Sequence, residues 1–165
     1  PARAPVGVSE PVHARMRFEG EMHLSDCNTI VSFLLSPSGL STNQGFIVRP
    51  TKVKGCKRPK TMYLPFDPLP PGKVANLRRV FLEKHNVFDF ELDDQRTNPA
   101  PLPAGEWVTF ALDTIQAGVL VLEINGKEAA RQDVPISDSE VRPGLLLYGG
   151  TVKLRNLRVT ELDKP

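Results

Sequence analysis

Three carboxylates stand at alternate positions in Val87–Asp93: Asp89, Glu91 and Asp93, interleaved with Phe88, Phe90 and Leu92. On a strand, alternate residues share one face about 6.5–7 Å apart. That is close to the roughly 5–5.5 Å between the carboxyl groups of a retaining glycosidase and the low end of the inverting range. Chemistry of this kind needs two carboxyls whose pKa values are pushed apart while both face a cleft. Three such side chains in a row also suit Ca2+, which takes several oxygen ligands. The plainer alternative is a solvated strand face. Asp89, Glu91 and Asp93 are therefore the candidate catalytic residues, with Ca2+ possible and no other cofactor expected.

Other side chains offer binding rather than reaction. Arg49, Lys52, Lys54, Lys57, Arg58 and Lys60 form a basic run that can attract phosphate or anionic polysaccharide by charge alone. It lacks interleaved aromatics for stacking on bases, and a solvated loop is the simpler reading. Tyr63, Trp107 and Tyr148 can stack on a sugar ring, although Trp107, heading an alternating strand, is expected in the core. Arg49 can donate to a sugar hydroxyl or carboxylate. His23 and His85 have no partner visible in sequence and read as surface histidines. Cys27 and Cys56 permit one disulfide, and with only His13, His23 and His85 beside them there is no zinc-ligand spacing. No phosphate-binding glycine loop, nucleophile elbow or zinc-protease helix motif is present.

These residues must be positioned by strands. A chain of 165 residues suits one domain. The formal charge of +2 is too small to imply a nucleic-acid partner, and no apolar run reaches the ~20 residues of a membrane span. The chain starts at Pro1 with no charged-then-apolar leader and reads as a processed or excised segment. Residues 1–11 are rich in proline and read as a linker or arm. His13 to Leu24 alternates, with Met16, Phe18, Met22 and Leu24 on one face and Gly20 interrupting it. Thr29 to Leu35 is apolar on both faces, as a central strand would be, and Gly45 to Val48 is a further short strand. Prolines break up residues 49–71. Lys73 to Lys84 fits a helical stripe or a strand, and the neighbouring strands favour the latter. Residues 98–104 read as a proline-rich loop. Downstream, Val108, Phe110 and Leu112 alternate, Asn125-Gly126 supplies a two-residue hairpin turn, and Leu145–Tyr148 with Val152–Leu162 make a closing pair. Within the last strand Leu157 and Val159 resume the pattern one residue out of phase, which predicts a bulge near Arg155-Asn156. No long-period repeat appears.

The run Asn43-Gln44-Gly45-Phe46-Ile47-Val48-Arg49 resembles the "N-S-G-I-x-x-R" strand of the 3-keto-disaccharide hydrolase domain, a family with a concanavalin A-like, laminin G-like jelly roll. Glu106-Trp107, Ile124-Asn125-Gly126-Lys127 and Leu154-Arg155-Asn156-Leu157-Arg158-Val159 are similar to its later landmarks, in order. Gln44 replaces the family's small Ser, and no acidic segment follows Arg49. The acidic row likewise resembles the "E-x-D-x-x-E" of lectin-fold glucanases, with Gln95 or Arg96 near the place of the third Glu.

These observations predict an all-β, two-sheet antiparallel jelly-roll sandwich of the concanavalin A-like type over residues 12–162. The expected function is a non-catalytic carbohydrate-binding or interaction module of a larger bacterial exported or surface protein, with a carbohydrate or protein ligand. Asn43, Arg49, Tyr63 and Tyr148 are the candidate ligand-binding residues. The alternatives are a glycoside hydrolase on the acidic row and a protein-interaction domain. Fold alone does not choose among them.

Overall fold

Strict alternation in β3 (Met16–Leu24) builds one wall of the molecule. Its even-numbered residues are buried, and its odd-numbered ones are partly exposed. The computed structural model describes residues 3–7, 12–25, 27–37, 42–51, 69–82, 88–134 and 140–162, with the backbone path alone at 3–7, 37, 42–43, 78–82, 88–97 and 148. β3 is flanked by β8 (Trp107–Asp113) and β12 (Val152–Glu161), while β9 (Val119–Ile124) and β10 (Lys127–Asp133) complete a five-stranded antiparallel sheet ordered β10-β9-β8-β3-β12.

The second sheet has seven strands. Its main order is β1 (Arg3–Gly7), β11 (Glu140–Tyr148), β4 (Ile30–Pro37), β5 (Thr42–Arg49), β6 (Lys73–Leu82) and β7 (Phe88–Pro99), and the two-residue β2 (Val12–His13) also pairs with β11. β4 is central, as its apolar character on both faces predicts. Lys73–Leu82 is a strand. β1 lies within the proline-rich segment expected to be a linker or arm and adds an edge strand there, a position where Pro5 needs no ladder hydrogen bond.

Two expectations are corrected. The closing pair is no pair: β11 belongs to the seven-stranded sheet and β12 to the five-stranded one. Gly149 and Gly150, both at positive φ (73° and 58°), turn the chain from one layer to the other. The loop expected over residues 98–104 starts later, because β7 continues through Asn98 to Pro99 at the outer edge of its sheet.

The core lies between the sheets. Met16, Phe18, Met22, Leu24, Val108, Phe110, Leu112, Leu120, Leu122 and Ile124 face Val31, Phe33, Leu35, Phe46, Val48, Leu145 and Leu147. Phe110 spans the layers, with its ring centroid 5.6 Å from both Phe18 and Phe33. Each fully buried side chain of this size contributes about 1.5–3 kcal/mol before entropy is set against it. At one margin Gln132 of β10 donates to the Gly45 carbonyl of β5, 2.5 Å away, joining the layers directly.

Two local signals are confirmed. Asn125 (φ 52°) and Gly126 (φ 78°) form the predicted hairpin turn. The register of β12 on β3 slips between Arg155 and Arg158, with Asn156 at φ 55°. Gly20 lies opposite that bulge. A Cβ on it would stand 2.5 Å from Leu157 Cδ2 and 3.3 Å from Phe110, so the glycine gap in the apolar face of β3 is the space Leu157 occupies.

Candidate functional site

The outward face of the five-stranded sheet carries a groove whose floor is β8. Register places Glu123, Ala111, Glu19 and Arg158 in one row across β9, β8, β3 and β12, with Thr109, Glu21 and Arg155 in the next. Ala111 and Thr109 are short, whereas the Glu and Arg side chains on either side are long. This difference in reach leaves a channel of about 600 Å3 lined by Arg17, Glu19, Glu21, Thr109, Ala111, Glu123, Asn156 and Arg158 among others. Its size falls within the range of small-ligand sites.

The bulge in β12 is what completes the wall. Residues three apart on a regular strand face opposite ways. The extra residue restores the phase, so that Arg155 meets Glu21 and Arg158 meets Glu19 on the same outward face. Arg155 Nε donates to Glu21 Oε2 and Arg158 Nε to Glu19 Oε1, each at 2.5 Å, and Asn156 Nδ2 donates to Glu21 Oε2 at 3.0 Å.

Arg17 ties the other end together, reaching Glu19 at 2.8 Å, Asp113 at 2.9 Å and Glu123 at 2.5 Å. Burial works against the Arg17 charge, but hydrogen bonds to Glu19 and Glu123 outweigh it and raise its pKa. The Arg17 hydrogen bond, helped by Arg158, holds Glu19 below the usual carboxylate value, and Arg155 with Asn156 does the same for Glu21. Asp113 moves the other way, because burial raises its pKa more than Ile115 N–H and Arg17 lower it.

Trp107 corrects the expectation of a core residue. Since Val108, Phe110 and Leu112 point inward, parity sends Trp107 outward, where it is 37% exposed. The Arg155 guanidinium lies over its ring at 3.7 Å, and His23 meets it edge-on at 5.4 Å between centroids. This stack stands beside the Glu21 end of the groove.

Apart from Trp107, the sequence-derived catalytic and binding candidates belong to the other sheet or lie outside the described residues. Asp89, Glu91 and Asp93 are on β7, where the pairing with β6 is interrupted between Leu92 and Thr97, and their side chains are outside the described set. Asn43 on β5 is paired with Val80, which is itself paired with Phe90. The backbone thus sets Asn43 two strands from the acidic row, about 10 Å by interstrand spacing. Arg49 and Tyr148 share the opposite end of the sheet, on either side of Ile30. Arg49 Nη1 donates to the Leu69 carbonyl at 2.7 Å. Tyr63, His85, Cys56 and residues 52–60 of the basic run lie outside the described residues, while Cys27 is disulfide-bonded. Among the described residues, no group of three His, Cys, Asp or Glu side chains gathers to hold a metal ion, and no helix is long and apolar enough to cross a membrane.

Sequence reading missed the groove entirely. The outward set of β3 was legible, but its partners in the groove are distant in the chain, Thr109 lying 88 positions from Glu21 and Arg158 lying 139 from Glu19.

The fold is an all-β, two-sheet antiparallel sandwich of the concanavalin A-like type, and it resembles solved galectins and a carbohydrate-binding module. The carbohydrate-binding module CBM66 of Bacillus subtilis superposes with a TM-score of 0.60 at 9% identity, covering 95% of this chain and 81% of that one. Xenopus laevis galectin-Ib gives 0.58 at 10% identity, with 96% and 100% covered. A toad ovary galectin in complex with thio-digalactose gives 0.58 at 12%, with 97% and 99% covered. At such identities the likeness establishes the fold alone. No protein-family model and no curated protein matches the chain.

Proposed function

We propose that this domain is a non-catalytic carbohydrate-binding module of a larger exported or cell-surface protein, and that the groove along β8 is its binding site. The groove itself carries the reading. It is an open channel on a sheet face, lined by carboxylates and guanidinium groups already held in place by one another. A sugar presents neighbouring hydroxyls that both donate and accept, so carboxylate oxygens paired with N–H donors match it. Because the ion pairs fix these side chains beforehand, little rotamer entropy is lost on binding. The shared architecture with a carbohydrate-binding module and with galectins supports the reading, and the disulfide at Cys27 supports an oxidising, extracytoplasmic location.

The test is a glycan array probed with the wild type and with Glu19→Ala/Arg158→Ala, each checked for an intact β circular-dichroism spectrum. Loss of a wild-type glycan signal in the variant supports the site. An unchanged signal moves the site elsewhere.

A second reading, a glycoside hydrolase resembling the 3-keto-disaccharide hydrolases, is favoured by β7, a strand carrying Asp89, Glu91 and Asp93 at alternate positions. In this reading a bound Ca2+ belongs to the same carboxylates. Reducing-sugar release by the wild type that disappears in Glu91→Gln would establish it over the binding module.

A further inference from the structure

Resting on the reading of the groove as a carbohydrate site, we infer that it selects uncharged glycans and rejects those bearing carboxylate or sulfate. The argument is one of occupied charge. The groove and its flanking stack contain three guanidinium groups, Arg17, Arg155 and Arg158, and four carboxylates, Glu19, Glu21, Asp113 and Glu123, which leaves one negative charge in excess (three against four). Every one of these guanidinium groups already holds a carboxylate at 2.5–2.9 Å.

An anionic sugar would have to displace one of those carboxylates, leaving it unpaired beside the incoming charge. That is unfavourable twice over, through repulsion and through loss of the existing pair. A neutral hydroxyl displaces nothing. Arg155 and Arg158 hold their glutamates through Nε, which leaves their terminal N–H groups to donate, and the carboxylates keep lone pairs that accept. The basic run Arg49 to Lys60 can attract anionic polysaccharide by charge, although a solvated loop is its simpler reading. The run is separate in sequence from every residue of the groove, so a local reporter is required.

Trp107 is that reporter. It is the chain's single tryptophan and stacks under Arg155 at the end of the groove. Its fluorescence is titrated with a neutral oligosaccharide taken from the array and with the uronate or sulfated form of the same backbone, at low and high salt. The wild type, Glu21→Gln and Glu19→Gln/Glu21→Gln are compared. In the wild type the neutral glycan binds with little salt dependence, and the anionic form binds roughly three- to fivefold more weakly, the equivalent of a partly exposed ion pair. The double variant, whose Arg155 and Arg158 are released from charged partners, narrows or reverses that ratio and binds the anion in a salt-sensitive way. Glu21→Gln alone shifts the ratio in the same direction by less, and keeps the test available if the double variant is poorly folded. Tighter wild-type binding of the anionic form, or an unchanged ratio in both variants, overturns the inference while leaving the carbohydrate site standing. If no glycan of either kind binds on the array or perturbs Trp107, both readings fail together.

Discussion

The outer faces of the two sheets have opposite characters. Across the seven-stranded sheet, one register row runs Leu146, Ser32, Ile47, Ala75. These residues point away from the central core, yet they are only 5, 2, 0 and 3% exposed. Leu77, on the same outward set, is equally buried. Across the five-stranded sheet the corresponding row is Glu123, Ala111, Glu19, Arg158, a charged channel open to solvent. Along these rows, among the described residues, the first sheet is therefore buried on both sides and the second on one. A sandwich needs apolar residues only on its inner faces, so a second apolar layer is a structural commitment of the first sheet. The outer face of the second sheet is left available for recognition.

The sharpest way to break this contrast is to cut into the apolar layer. Ile47→Ala should cost about 2–4 kcal/mol in chemical denaturation, as much as a change in the central core such as Leu122→Ala. A cost below ~1 kcal/mol would mean that this face is peripheral after all. On the charged face the comparable insult is Arg17→Met, which deprives Glu19, Asp113 and Glu123 of their shared partner. With Arg17 30% exposed, about 1–2 kcal/mol is expected at neutral pH. The loss should shrink in acid, where the carboxylates no longer need a partner.

Acid should sharpen the same distinction more gently. The Glu19 and Glu21 pKa values are lowered in the folded state, so the stability they contribute is fully present above the unfolded glutamate value of 4.5. It is lost as pH falls from there through their folded values. Asp113 is raised, so its protonation relieves a burial penalty and opposes the trend. Unfolding midpoints of wild type and Glu19→Gln/Glu21→Gln, compared at pH 7 and in the acid window, should show the wild type falling more steeply. Equal slopes would remove these pairs from the stability of the face. The smallest effect belongs to Arg131→Ala, which deletes an exposed pair with Glu128 in the β9–β10 hairpin, where both side chains are about half exposed. No change in melting temperature beyond measurement error is expected.

Much of the fold was legible along the chain. Apolar character on both faces of Thr29–Leu35 marked a central strand, alternation in His13–Leu24 marked one buried on a single face, and the phase slip after Leu154 announced a bulge. Trp107, expected in the core as the head of an alternating strand, faces outward because Val108, Phe110 and Leu112 take the inward parity. The groove was not legible. Asp89, Glu91 and Asp93 drew attention because they are adjacent in sequence, whereas the residues that line the channel come from four strands.

Sequence by itself determined most of the strands, the buried faces of β3 and β8, the hairpin at Asn125-Gly126 and the bulge at Asn156, since each depends on the period of two or on the φ preference of a few consecutive residues. Which strands became neighbours was decided only in three dimensions. Strand pairing is set by the burial of whole faces against one another, and that cooperative choice sent β11 and β12 to different sheets. The same choice put short Ala111 and Thr109 between long, paired acids and arginines, and so produced a site that no local pattern records.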